Sequence, residues 1–209
     1  MPKKQTYWIL RRDQILCLTS PRRQDILDRL STSGPAPVRA FAREIGLAPS
    51  AAYHHVRKLV EAGLLREAGT RTVAGRAERL YAAAAPRMRL ARALDDPASR
   101  SDLARVVAAM CRQMSRDFAS GIRRPEAKSR GRGRNLGFYR LVAAPSPSTL
   151  ARLNRYLDAI AELLWKPGRP EAPLLAFGWT LAPAGKRALK RTRKPARRKK
   201  PKQRILVTR

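Results

Sequence analysis

The stretch from Val38 to Leu65 constrains this chain more than any other. Its apolar residues keep a helical period, stop at one glycine, resume, stop at a second, and then change to a strand period. Val38, Phe41, Ala42 and Ile45 share one helical face, and Gly46 follows where the positive φ of a tight turn is needed. Leu47 is the expected buried residue after that turn. The next helix is expected from Ala48-Pro49-Ser50 to Ala62, with Ala52, Val56, Leu59 and Val60 inward and Gly63 closing it. Two short helices joined by a glycine turn are the arrangement that lays its second helix in the major groove of DNA.

The flanks extend this pattern. Ser20 is placed to cap a preceding helix and Pro21 to start it; Ile26, Leu27 and Leu30 form its stripe, and Ser33-Gly34-Pro35 ends it. Tyr7 to Leu18 reads as one more helix. Beyond Gly63, Leu64 to Val73 looks extended, Ala74-Gly75-Arg76 supplies a turn, and Ala77 to Ala82 alternates again. A β-hairpin is therefore expected directly behind the DNA-reading helix, with Arg71 and Arg76 near its tip.

Charge points the same way. The chain of 209 residues carries 46 Lys and Arg against 15 Asp and Glu, a net charge of +31. Such a surface draws polyanions, and neutralising phosphates releases their condensed counterions. Nucleic acid is the partner this favours, with an anionic membrane surface second. No stretch reaches the ~18 apolar residues of a membrane helix, and no signal peptide follows the basic first residues. A cytoplasmic protein, on the nucleoid if bacterial, is expected. Cys17 and Cys111 lie far apart in apolar helical patterns and read as two buried, reduced thiols.

The run Ala40 to Leu65 resembles bacterial ArsR-type winged-helix repressors. They share a helix, a Gly turn, a Ser-containing helix, a His–aliphatic–basic–basic–Leu step, Glu-Ala-Gly-Leu, and a Gly-Arg wing ending in Tyr. Here those are Gly46, Ser50, His55-Val56-Arg57-Lys58-Leu59, Glu61-Ala62-Gly63-Leu64, Gly75-Arg76 and Tyr81. The likeness covers about residues 15–83. Its Glu-Ala-Gly-Leu step is shared by other winged-helix families, MarR-like ones among them. The resemblance implies that Pro49, Ser50, Ala51, Tyr53, His54 and Arg57 face double-stranded DNA, with Arg39 and Lys58 completing the set. It also implies that Arg71, Thr72 and Arg76 reach it from the wing, and that the protein represses transcription. Chemically, Arg57 suits guanine or phosphate, Ser50 phosphate, and Tyr53 backbone or a thymine methyl. The Cys-x-Cys motif of metal-sensing members is missing. Adjacent histidines on a helix point about 100° apart, so neither metal nor cofactor is expected.

The rest of the chain reads as an accessory region. Ser99 or Ser101 is placed to cap a long helix reaching Ile122, with Leu103, Val106, Val107, Met110, Met114 and Phe118 on a narrow stripe. Residues 123–137 read as a flexible basic loop. Ser146-Pro147 opens another helix, in which Leu150, Leu153, Leu157, Ile160 and Leu164 make a heptad seam. Those stripes serve either an internal core or a homodimer interface. Strands are expected at Phe138 to Ala143 and Leu174 to Leu181, with Trp165, Phe177 and Trp179 read as core rather than the wall of an effector pocket. From Lys186 to Arg209 there are thirteen Lys or Arg and no acid, so a disordered tail lying along the DNA backbone is expected.

The fold class expected is α+β, mostly α. A winged helix-turn-helix domain (1–85) precedes a helical, small-sheet dimerisation domain (86–185) and a basic tail (186–209). The function expected is sequence-specific regulation of transcription by a homodimer. A nucleoid-associated architectural protein with little sequence preference is the alternative. An enzyme is not expected, since the carboxylates are scattered and no nucleophile motif or phosphate-binding glycine loop appears.

Overall fold

A computed structural model describes residues 6–165 and 173–185. It opens with a two-residue strand, β1 (Tyr7–Trp8), and the short helix α1 (Arg12–Cys17), followed by α2 (Pro21–Ser33), β2 (Ala36–Pro37), α3 (Val38–Glu44) and α4 (Pro49–Glu61). The hairpin β3 (Leu65–Val73) and β4 (Arg76–Ala83) comes next, then β5 (Met88–Arg89). Two 3₁₀ turns lead into α5 (Arg100–Gly121), and α6 (Pro147–Leu164) is the last helix described. Among the described residues, those up to Gly178 belong to one compact unit, and Trp179 to Gly185 belong to a second. Trp179 to Gly185 carry no regular structure.

One apolar core joins the first four helices. Ile15, Ile26, Leu30, Val38, Phe41, Ala52, Val56, Leu59 and Leu64 are buried together, and Leu103 and Val106 of α5 belong to the same cluster. The helices are positioned by two copies of one terminating motif. At Gly46 (φ +64°), Leu47 N–H donates to the Ala42 carbonyl and Gly46 N–H to Arg43. At Gly63 (φ +69°), Leu64 N–H donates to Leu59 and Gly63 N–H to Val60. Each satisfies carbonyls that a helix end leaves open, and only a residue tolerating positive φ can hold the pivot.

β2, β4 and β3 form an antiparallel sheet in that order. The hairpin loop is the two residues Ala74 and Gly75, both at positive φ, as the twist of a tight hairpin requires. Gly69 (φ +106°) lies where β3 carries one residue more than β4, between the pairs Glu67↔Tyr81 and Thr70↔Arg79. β1 pairs in parallel with β5, which ties the start of the chain to the segment after the hairpin.

Several expectations need correction. Tyr7 to Leu18 is not one helix: Tyr7–Trp8 extend to bond β5, and Ile9 turns into the core. Ser20 occupies the cap position of α2, but its carbonyl, not its hydroxyl, accepts the first helical bonds. Before α5 the capping carboxylate is Asp96, which accepts from Ala98 N–H and the Ser99 hydroxyl; Ser99 is a donor there. Cys17 is buried, and burial pushes its thiol up, whereas Cys111 is exposed on the outer side of α5. The segments Phe138 to Ala143 and Leu174 to Leu181 form no strands. A strand needs a neighbouring edge for its N–H and C=O groups, and neither segment meets one. Phe138 instead packs edge-to-face on Phe118 of α5 (5.7 Å), and Gly178 lies against the Met114 thioether.

The basic loop after α5 also differs from an open chain. Asn135 closes it by accepting from Lys128 N–H (2.7 Å) and donating its amide to the Glu126 carbonyl (3.1 Å). Nor do the aromatic residues of the C-terminal half form a core. Phe177 and Trp179 are exposed, and Trp165 is covered by two arginines, Arg87 and Arg89, at 4.8 and 4.3 Å from its ring centre. The α6 seam is half-covered, with no residue of that helix buried.

Gln14 shows how the start of the chain is locked to α4. Its side chain is buried, and its amide donates to the Ala62 carbonyl (3.0 Å) and to the Tyr7 hydroxyl (2.9 Å). Replacing Gln14 with Ala leaves that carbonyl unsatisfied and should lower the unfolding free energy by about 1–3 kcal/mol. Urea denaturation reads this directly, and an unchanged midpoint would separate Gln14 from stability.

Candidate nucleic-acid interface

α4 owes its orientation to its inner seam. Ala52, Val56 and Leu59 are fully buried against the other helices, so the opposite side must face water. Ser50, Tyr53, His54 and Arg57 recur there at spacings of three and four, and all are exposed. Pro49 at the first helical position and Lys58 beside Arg57 are exposed too, while Ala51 is half-buried. Arg39, in the first turn of α3, is exposed, as are Arg71, Thr72 and Arg76 near the hairpin tip. Of the eleven residues singled out from sequence, ten thus lie on the surface, and four make one continuous helix face.

Between that face and the hairpin runs a groove of about 590 Å³, lined by Ser50, Tyr53, His54, Arg57, Glu61, Glu67, Arg79 and Tyr81 among others. Sequence reading missed its acidic members. Glu61 accepts from Lys58 (2.8 Å) and stands 3.7 Å from Arg57, and the Lys58 hydrogen bond holds the Glu61 carboxyl below its usual range. Across the hairpin Glu78 pairs with Arg71 (3.1 Å) and Glu67 with Arg79 (3.1 Å). The signals for these were present: Glu61 follows Lys58 and Arg57 by three and four residues, and Glu78 lies directly opposite Arg71 in the ladder. Arg57 also lies 3.5 Å from the His54 ring. The cations that would meet phosphates are therefore partly neutralised by the module's own carboxylates, while Arg39 and Arg76 carry no ion pair among the described residues.

The two histidines part company. His54 is on the outer face; His55, one residue on, turns toward Arg22 and Arg23, and its Nδ1 is buried without a hydrogen-bond partner. Burial lowers its pKa, and the neighbouring arginines and His54 lower it further. Among the described residues no three His, Cys, Asp or Glu side chains gather where a metal ion would bind.

The His55 geometry fixes a pH effect. The fold prefers neutral imidazole, so the unfolded chain binds the extra proton first. The contribution is whole above the ordinary value of 6.5, declines as pH falls below it, and is gone once pH passes the lower folded value. His55→Phe should therefore reduce the loss of melting temperature between about pH 7.5 and pH 5.5. Parallel pH–melting curves for the two proteins would contradict this.

No curated protein matches the chain. Among the described residues, no helix is long and apolar enough to cross a membrane. Residues 18–68 match the model of a family described as a helix-turn-helix domain, a span that takes in α2, α3, the Gly46 turn, α4 and the start of the hairpin. The N-terminal part of this chain is a helix-turn-helix domain of the DNA-binding kind.

Proposed function

We propose that the protein is a sequence-specific regulator of transcription that places α4 in the major groove of double-stranded DNA and flanks it with the β3–β4 wing. The observation that carries this reading is the free outer face of α4, where Ser50, Tyr53, His54 and Arg57 stand clear of the core beside a concave groove. Arg57 and Ser50 bring donors, and Tyr53 brings an apolar edge. Arg39, Pro49, Ala51 and Lys58 border them, and Arg71, Thr72 and Arg76 extend the contact through the wing.

The resemblance to ArsR-type regulators supports a repressor working in the cytoplasm, on the bacterial nucleoid. In this reading two copies pair, so that two recognition helices reach successive major grooves of a near-palindrome. The half-covered stripe of α6 is an apolar surface suited to that pairing. The tail at 186–209 lies outside the described residues; its thirteen cations support added, sequence-independent phosphate contacts. The reading assigns no catalysis, cofactor or metal to the chain.

One observation favours the architectural alternative. The ion pairs of Glu61, Glu67 and Glu78 moderate the charge of the reading face, so most of the surplus lies elsewhere. Competition between one genomic site and random duplex separates the readings: a regulator keeps its site, and an architectural protein exchanges freely.

Two substitutions test the face itself. Arg57→Ala should weaken binding to the preferred site by ~1–3 kcal/mol if Arg57 reads a base. Unchanged affinity in a gel-shift titration at fixed salt would remove it from the reading set. Glu61→Gln frees Arg57 and Lys58 and withdraws a negative charge, so every duplex should bind about two- to five-fold tighter. Weaker binding would mean that the carboxylate itself accepts from a base.

A further inference from the structure

We infer that the closed basic loop at the end of α5 is a second binding site for the phosphodiester backbone of duplex DNA, outside the segment that α4 addresses. The inference rests on the DNA-binding reading above but on different residues. Arg123, Arg124, Lys128, Arg130, Arg132 and Arg134 fall within twelve positions, and Glu126 is the only acid between Asp117 and Asp158. Glu126 lies 3.6 Å from Arg124; the other five cations have no carboxylate within 4 Å among the described residues.

An unstructured chain lets like charges spread apart. This one holds them together. Lys128 O accepts from the N–H groups of Asn135 and Leu136, Arg134 N–H donates to Gly131 O, and Gly131 turns at φ +77°. With the Asn135 side chain bonding Lys128 and Glu126, the neck of the loop is closed from both sides. Leu136 then lies against Gly121, and Phe138 packs on Phe118, so the exit is fixed to α5. Arg130, Arg132 and Arg134 are exposed on the closed loop. Confining several guanidinium groups without counter-ions is unfavourable in isolation and becomes favourable against a polyanion.

Position supports a separate contact. Ala109 is the last buried residue of α5, and Gly121 lies twelve residues further on. That places the loop about 18 Å along the helix from the core, at 1.5 Å rise per residue. The ligand is identified by its chemistry as a row of phosphates, which guanidinium forks bind without reading sequence.

The test uses the full-length protein with a duplex of the preferred site and with random duplex, titrated by fluorescence anisotropy over a salt series. Replacing Arg130, Arg132 and Arg134 together with Ser should make the slope of log affinity against log salt shallower by about 2.7, from about 0.9 per phosphate lost. Affinity should fall alike for both duplexes, leaving the preference between them unchanged. The matching triple Lys variant should keep the wild-type slope. A control with Arg112, Arg152 and Arg155 replaced by Ser removes the same charge elsewhere and should move the slope by less than about 1. An unchanged slope in the loop triple, or an equal change in the control, overturns the inference while the α4 reading stands. If the wild-type chain binds no duplex, the reading on which the inference rests has failed first. Greater loss of binding to phosphatidylserine vesicles than to duplex would assign the loop to a lipid surface and overturn the proposal.

Discussion

Everything in the N-terminal half depends on the burial of one side of α4. Ala52, Val56 and Leu59 contribute the contacts that α1, α2 and α3 converge on, and their burial decides which residues are left outside. A helix offers only about 100° of turn per residue, so choosing the inner seam chooses the outer one. Ser50, Tyr53, His54 and Arg57 are displayed because their neighbours are hidden. The two glycine pivots hold α4 at a fixed angle to α3 on one side and to the hairpin on the other. The concave groove follows from those two turns.

The parts of this structure that could be read from sequence are those with local causes. The apolar period of α2, α3 and α4, the Pro at each of two helix starts and the glycines that end them are encoded within a few residues, and the elements appear where that period predicts. The hairpin followed from alternation and the Ala74-Gly75 turn. What was not legible depended on distant partners. Tyr7–Trp8 extend because β5, some eighty residues on, offers an edge. The segments around Phe138 and Phe177 looked like strands by composition, but no edge is there to receive them. Asn135 closes a loop that looked open, because one amide reaches backbone groups on both sides of the neck.

The candidate site shows the same division. Its helix face was readable from the period of α4, yet the glutamates that temper its charge were not picked out, although their spacing from Arg57, Lys58 and Arg71 carried the information. Counting cations overstates the field on that face, since an ion pair cancels both partners at a distance. The surplus of positive charge is instead concentrated where acids are scarce, in the loop after α5 and at the end of the chain. In the proposed reading, recognition falls on a face whose cations are partly paired, and general attraction on segments where acids are few.

The attachment of α6 has a consequence of another kind. Glu162 pairs with Arg87 and Arg89, and the same two arginines cover Trp165. No side chain of the helix is buried. A helix held this way is fastened by charge and ring quadrupole beside a seam that is only half-covered. Its grip loosens with ionic strength while the core, whose cohesion is apolar, is left undisturbed. The two halves of the molecule therefore answer to different solvents: added electrolyte acts on the fastening of α6, and denaturant acts on the helices around Leu59.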